Sequence, residues 1–214
     1  MAAGAEALGL ALSPEQVTQL AQFAELIRKW NRAFNLVSRQ DVGRLLERHI
    51  LDSIAPMALV RGPRVLDLGS GAGLPGLPLA IVLPGLQMTL CDRSERRTRF
   101  CRQVVQQLGL GNVTIWCGDF GSADSPSGPF DTVVARGVAT SDSVWDMVRH
   151  TLDPDGCVLV YAATQAVAAE HDEHDEIDST APAQRDEIAI SRHDFDIPNL
   201  ARVHTVLMLE RKHS

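Results

Sequence analysis

Residues 64–76 read Arg64-Val65-Leu66-Asp67-Leu68-Gly69-Ser70-Gly71-Ala72-Gly73-Leu74-Pro75-Gly76. A short apolar run from Val65 to Leu68 carries one acidic residue, Asp67, and leads straight into a loop with glycines at 69, 71, 73 and 76. Glycine accepts positive φ and lets a ligand come close to the main chain, but each one costs conformational entropy. A tight turn with no ligand therefore explains this loop poorly. The stretch Gly71-Ala72-Gly73-Leu74-Pro75-Gly76 also fits the dinucleotide fingerprint G-x-G-x-x-G. The glycines in register with the strand, however, are Gly69, Gly71 and Gly73, two positions earlier. A carboxylate at Asp67 also suits an ammonium group better than a pyrophosphate, which it would repel.

Outward from this stretch, strand and helix signals alternate. Strand 64–68 is followed by a helix near 75–83. Strand 87–91 ends at Asp92, and a helix over 94–108 stops at Gly109 and Gly111. Strand 113–117 precedes a polar loop, 118–129. Strand 130–135 leads to a helix over 141–151, a turn at Asp153-Pro154-Asp155-Gly156 and a strand over 157–162. This order predicts a mostly parallel sheet with helices on both faces. Residues 188–197 and 202–210 read as two final strands, antiparallel through a turn at Pro198-Asn199. Residues 165–187 are polar and acidic, and the run Glu170 to Glu176 reads as a solvated face rather than a metal site.

Upstream, Ser13-Pro14-Glu15-Gln16 is a helix start, with Val17, Leu20, Ala21, Ala24 and Ile27 at helical spacing. Residues 30–38 break that pattern. Asp41 is placed to cap a second helix whose stripe is Val42, Leu45, Leu46, His49, Ile50, Ser53 and Ile54. Met1 to Leu12 reads as a loose terminus without a basic leader. Pro56 and Gly62-Pro63 mark a boundary, giving a helical cap over 1–62 and a core over 63–214.

The chain has 214 residues, a formal net charge of −7 and 45% hydrophobic residues. No apolar run approaches the ~20 residues of a bilayer span. The four cysteines (91, 101, 117, 157) form no C-x-x-C pair, which predicts a reduced, cytoplasmic protein without disulfides or structural zinc. Charge is uneven: residues 1–111 hold 13 Lys and Arg against 9 Asp and Glu, and residues 112–214 hold 7 against 18. That asymmetry suits one basic working face on an acidic body.

The strand and glycine loop resemble the cofactor loop of class I S-adenosylmethionine-dependent methyltransferases, a Rossmann-like α/β fold. Ligands of open α/β sheets sit beyond the carboxyl ends of the strands. By that resemblance Asp67, Gly69, Ser70, Gly71 and Gly73 lie under the methionine end of S-adenosyl-L-methionine. Asp92 accepts the ribose hydroxyls, since a carboxylate has two oxygens for a vicinal diol. Asp119 reads the adenine edge. Arg136 ends strand 130–135 and points at the pocket mouth. Arg96, Arg97 and Arg99 on the helix after Asp92 are candidate phosphate contacts for a nucleic-acid substrate.

Three further stretches sharpen the resemblance: Trp30-Asn31-Arg32-Ala33-Phe34-Asn35-Leu36, Arg48-His49-Ile50-Leu51-Asp52-Ser53, and Ala135-Arg136. With the glycine loop they look like the bacterial small-subunit ribosomal RNA guanine-N7 methyltransferases, the glucose-inhibited division protein B family, over roughly residues 15–165. The resemblance adds Leu74, Phe120 and Gly121 to the cofactor site. It puts Arg136 between cofactor and RNA and makes Arg136 and His49 the candidate catalytic residues. It implies ribosomal RNA or the small ribosomal subunit as partner, and no membrane. Two positions depart from the family pattern: Asp119 stands where an arginine is usual, and Thr164-Gln165 where a Lys-Gly pair is usual. Both remove positive charge from the substrate mouth, so a divergent paralogue with a small-molecule acceptor is the alternative expectation. A non-catalytic RNA-binding or cofactor-sensing protein is a third.

Overall fold

The computed structural model describes residues 1–38, 41–162, 188–200 and 203–212. Its centre is a seven-stranded sheet built from β1 (Arg64–Leu68), β2 (Gln87–Asp92), β3 (Val113–Cys117), β4 (Phe130–Arg136), β5 (Leu152–Tyr161), β6 (Ile188–Asp196) and β7 (Val203–Arg211). The strand order is β3-β2-β1-β4-β5-β7-β6. The first five strands run parallel, and β7 inserts antiparallel between β5 and β6. The chain reverses its direction of travel across the sheet between β1 and β4. There the carboxyl ends of neighbouring strands lead to opposite sides and leave a crevice.

Alternation along the strands sorts side chains onto two faces. Val65, Val134, Cys157 and Leu159 face one helical layer, made of α2 (Pro14–Asn31), α4 (Gly76–Val82) and α5 (Glu95–Leu108). Leu66, Leu68, Val133, Val158 and Val160 face α6 (Ser141–Val148). Both faces are covered, so β1 and β4 read as near-continuous apolar runs. The N-terminal segment shares the first of these cores: Leu20, Phe23 and Ile27 of α2 are fully buried beside Leu77 and Phe100. The helix starts follow their sequence signals. Ser13 and Gln16 form a reciprocal capping box on α2. Ser94 caps α5, which ends at Gly109 in the left-handed conformation.

Four expectations need correction. Residues 1–12 are not loose throughout: α1 (Ala2–Ala7) forms, with Ala5 buried. Asp41 caps nothing; its carboxylate reaches Arg48 at 2.8 Å instead. The second helix is broken into a 3-10 turn (Val42–Arg44), a π turn (Leu46–Leu51), the short α3 (Asp52–Ile54) and another 3-10 turn (Ala55–Leu59). Ser53 Oγ donates to the His49 carbonyl within it, and Pro56 interrupts the helical dihedrals. Asp153 to Gly156 are not a separate turn but an excursion within β5, since Phe130 pairs with Leu152 while Thr132 pairs with Cys157. Thr164, Gln165 and the acidic run 170–176 lie outside the described residues.

Candidate functional site

The carboxyl ends of β1 to β4 enclose a cleft of about 500 Å³. Gly69 leads out of β1, and Asp92 and Arg93 close β2. Gly118, Asp119 and Phe120 follow β3, Gly137 and Val138 follow β4, and Met147 and Arg97 reach in from α6 and α5. Gly69 has φ +65, and a Cβ there would sit 2.7 Å from a Val138 methyl, so only glycine leaves this edge of the cleft open. Val138 and Met147 are 39% and 37% exposed. Large apolar side chains left that open form a wall suited to a flat ring.

Two buried carboxylates shape the glycine loop. Asp67 lies at 0% exposure beneath it. Its Oδ2 accepts the Gly76 N–H at 2.7 Å, tying the end of β1 to the start of α4. A Cβ at Gly76 would meet that same oxygen at 2.5 Å. Asp67 Oδ1 and Ser70 Oγ are buried with no hydrogen-bond partner among the described residues. Burial pushes the Asp67 carboxyl up to about 7, opposed by the Gly76 N–H and the positive charge of Arg136. Asp92 Oδ2 accepts the Gly71 N–H and its Oδ1 the Ser94 N–H, both at 2.8 Å. Each carboxylate oxygen keeps a second lone pair, and Asp92 lines the cleft.

These features fit S-adenosyl-L-methionine. A buried acceptor without a partner suits an ammonium, two oxygens with spare lone pairs suit a diol, and an apolar wall suits adenine. Of the expected cofactor residues, Gly69, Asp92, Asp119 and Phe120 line the cleft. Gly71 shapes it through Asp92. Gly73 has φ +76, and its carbonyl accepts the Leu77 N–H at the start of α4. The Leu74 side chain packs into the core at 5% exposure, and Gly121 donates to Ser125 Oγ just past the lining. Arg97, a candidate phosphate contact, turns into this cleft, 3.6 Å from Asp92 Oδ2. Arg96 lies over Phe34 and Arg99 reaches Glu95 at 3.5 Å.

Arg136 does not line the cleft. It points to the cap side of the sheet, where NH1 meets Asp52 Oδ2 at 3.2 Å. Asp52 Oδ1 accepts from His204 Nδ1 at 2.7 Å, and the Tyr161 hydroxyl donates to the Ser53 carbonyl at 2.8 Å. The Arg48-to-Ser53 signature thus clasps the N-terminal segment to the ends of β4, β5 and β7. Sequence reasoning marked the signature but missed Asp52 as its hub; an acidic residue between the apolar Ile50-Leu51 and Ile54 was the available signal. His49 lies in the same place with both ring nitrogens buried and without hydrogen-bond partners among the described residues. Burial and then the charge of Arg136 bring its pKa down to about 4. The ring is uncharged at neutral pH, and the 3.8 Å approach to Asp41 is too long for a hydrogen bond.

The family model for GidB, rRNA small subunit methyltransferase G, matches residues 16–192. This chain belongs to that family. The ribosomal RNA small subunit methyltransferase G of Laribacter hongkongensis is 41% identical over 154 residues, covering 72% of this chain and 74% of its own length. The protein of the same name from Chromohalobacter salexigens is 36% identical over 212 residues, 98% of this chain and 95% of its own. Among solved structures, the O-methyltransferase TomG from Streptomyces achromogenes superposes with a TM-score of 0.58 at 15% identity, covering 91% of this chain and 90% of its own. A SAM-dependent methyltransferase from Aquifex aeolicus gives 0.56 at 16%, covering 80% and 95%. The family member described here has the class I methyltransferase fold, acts as a methyltransferase and takes S-adenosyl-L-methionine as its methyl donor. Among the described residues no helix is long and apolar enough to cross a membrane.

Proposed function

We propose that this protein methylates a guanine N7 of small-subunit ribosomal RNA in the cytoplasm. The observation that carries the proposal is the arginine-rich start of α5, which forms the lip of the same cleft that holds the glycine loop and Asp92. Arg93 and Arg97 line that cleft, and Arg96 and Arg99 continue outward along the helix. Guanidinium groups suit phosphate oxygens, so substrate and cofactor sites meet at one helix end. Family membership favours ribosomal RNA over the small-molecule acceptor.

S-adenosyl-L-methionine supplies an electrophilic methyl on a sulfonium. The guanine N7 lone pair forms the new N–C bond as the C–S bond breaks, leaving a thioether and a cationic guanine. No proton leaves N7, so no general base is required. The protein's contribution is the orientation of the two reactants. Asp92 would fix the loop and the ribose, Asp67 Oδ1, buried beneath the loop, would reach the ammonium through a water, and Phe120, Val138 and Met147 would hold the adenine. Asp52 holds Arg136 facing the cap, where it stands as the positive group for an RNA phosphate. His49, uncharged, fills space beside Arg136 and is not the proton carrier.

The test is methyl transfer from labelled S-adenosyl-L-methionine to small ribosomal subunits from cells lacking the protein. The expected product is one N7-methylguanine, located by the chain cleavage that its weakened glycosidic bond permits. Absence of transfer to any ribosomal particle, or a methyl at another atom, overturns the proposal.

A further inference from the structure

A file of rings runs from the core to the surface. Phe23 and Phe100, both fully buried, stack at 6.4 Å. Phe100 meets Trp30 edge-on at 5.4 Å, and Trp30 tilts against Phe34 at 5.6 Å. The Arg96 guanidinium carbon lies 5.6 Å from the centre of the Phe34 ring. Trp30 and Phe34 are only partly buried. With Ser94, Glu95, Arg96 and Arg99 they line a hollow of about 510 Å³. Asn31 Oδ1 accepts the N–H groups of Leu36 and Val37 at 2.7 and 3.0 Å, which fixes the loop that presents Phe34.

None of these six lining residues belongs to the cofactor cleft, yet the two sites share the start of α5. Ser94 of the hollow donates to Asp92, and Arg96 adjoins Arg97 of the cleft. Rings backed by the core give rigid faces, and the arginines outnumber the single Glu95. Aromatic faces beside guanidinium groups recognise unpaired bases with their phosphates. A duplex has its bases already stacked and offers nothing to Phe34. An acidic peptide would use the arginines but leave the ring unused.

We propose that this hollow seats an unpaired base of the substrate RNA next to the methylated nucleotide, stacked on the Phe34–Arg96 layer, with Arg99 on its phosphate. The inference rests on the ribosomal RNA reading above. The test measures binding of the full chain to single-stranded oligoadenylate and oligouridylate of equal length, for wild type, Phe34→Leu and Phe34→Trp. Adenine stacks better than uracil, so the wild type prefers oligoadenylate several-fold. Phe34→Leu lowers that affinity about fivefold to a hundredfold and levels the preference, while Phe34→Trp keeps it. Affinity for S-adenosyl-L-methionine stays within about twofold throughout, which excludes misfolding as the cause. Equal binding by Phe34→Leu and wild type, or an equal loss for both oligonucleotides, overturns the stacking seat alone if the wild type still methylates small subunits. A wild type that neither binds RNA nor methylates subunits overturns the ribosomal reading and the seat with it.

Discussion

Replacing Asp52 tests the clasp between cap and sheet. Its carboxylate holds Arg136 and His204 at once, and the side chains of Asp52 and Arg136 are only 11% and 19% exposed. Removing one partner of a buried pair strands the other, at about 3–5 kcal/mol; residual exposure favours the lower end, about 3. At 2–4 °C per kcal/mol for a chain of this size, Asp52→Ala should lower Tm by roughly 6–12 °C. Cofactor affinity should change little, because Asp52 touches neither the glycine loop nor the cleft lining. Transfer to small subunits should fall at least about tenfold, the loss of one charge-assisted contact, because Arg136 is no longer aimed. The double variant Asp52→Leu with Arg136→Leu removes both charges and should recover part of the lost Tm, since apolar replacement of a buried pair is often neutral while His204 still lacks its acceptor. It should not recover transfer. Calorimetry on the single and double variants, with transfer assayed in parallel, separates the two effects. An unchanged Tm in Asp52→Ala, or full transfer by the double variant, would refute the reasoning.

Asp92→Ala should weaken S-adenosyl-L-methionine by about 1.5–3 kcal/mol; equal affinities by titration calorimetry would remove Asp92 from the site. Asp67 sits near 7 in the free protein, and an ammonium beside it favours the ionised form. Cofactor affinity should therefore drop up to about tenfold per pH unit below pH 7, with proton release visible as a buffer-dependent binding heat; a flat profile from pH 5 to 8 counts against a role for Asp67 toward the ammonium. His49 has its pKa lowered to about 4 in the folded chain against ~6.5 unfolded. The unfolded chain thus gains the proton first, and stability falls by up to about 3 kcal/mol as pH drops from 6.5 to 4. His49→Phe should flatten that part of a denaturation–pH curve while leaving the shape of the activity–pH profile above 6.5 unchanged; a shifted profile would restore a proton-transfer role.

The parallel sheet was legible because its central strands, β1 and β4 above all, are buried on both faces and so stand out as apolar runs between helical stripes. Arg64–Leu68 and Val113–Cys117 have their expected bounds. The broken turns from Val42 to Leu59 were not legible. Their stripe is compatible with a regular helix, and only the last break, at Pro56, carries a sequence signal. The glycine loop and Asp92 could be found from local spacing. The Arg136–Asp52 and Asp52–His204 contacts span 84 and 152 residues, and no local pattern signals them. That Arg97 reaches the cleft was not legible either, because helical spacing gives a side chain's face but not its reach.

The glycine loop is moored at three points by the sheet itself: Gly76 to Asp67, Gly71 to Asp92, and the Ser70 N–H to the Cys91 carbonyl at 2.9 Å. A loop held this way is preorganised. The donor molecule meets a finished cradle, and little backbone entropy is spent on its arrival. Such a cradle contributes little to any closing motion over the substrates, so encounter with the donor resembles docking into a mould rather than folding around a guest.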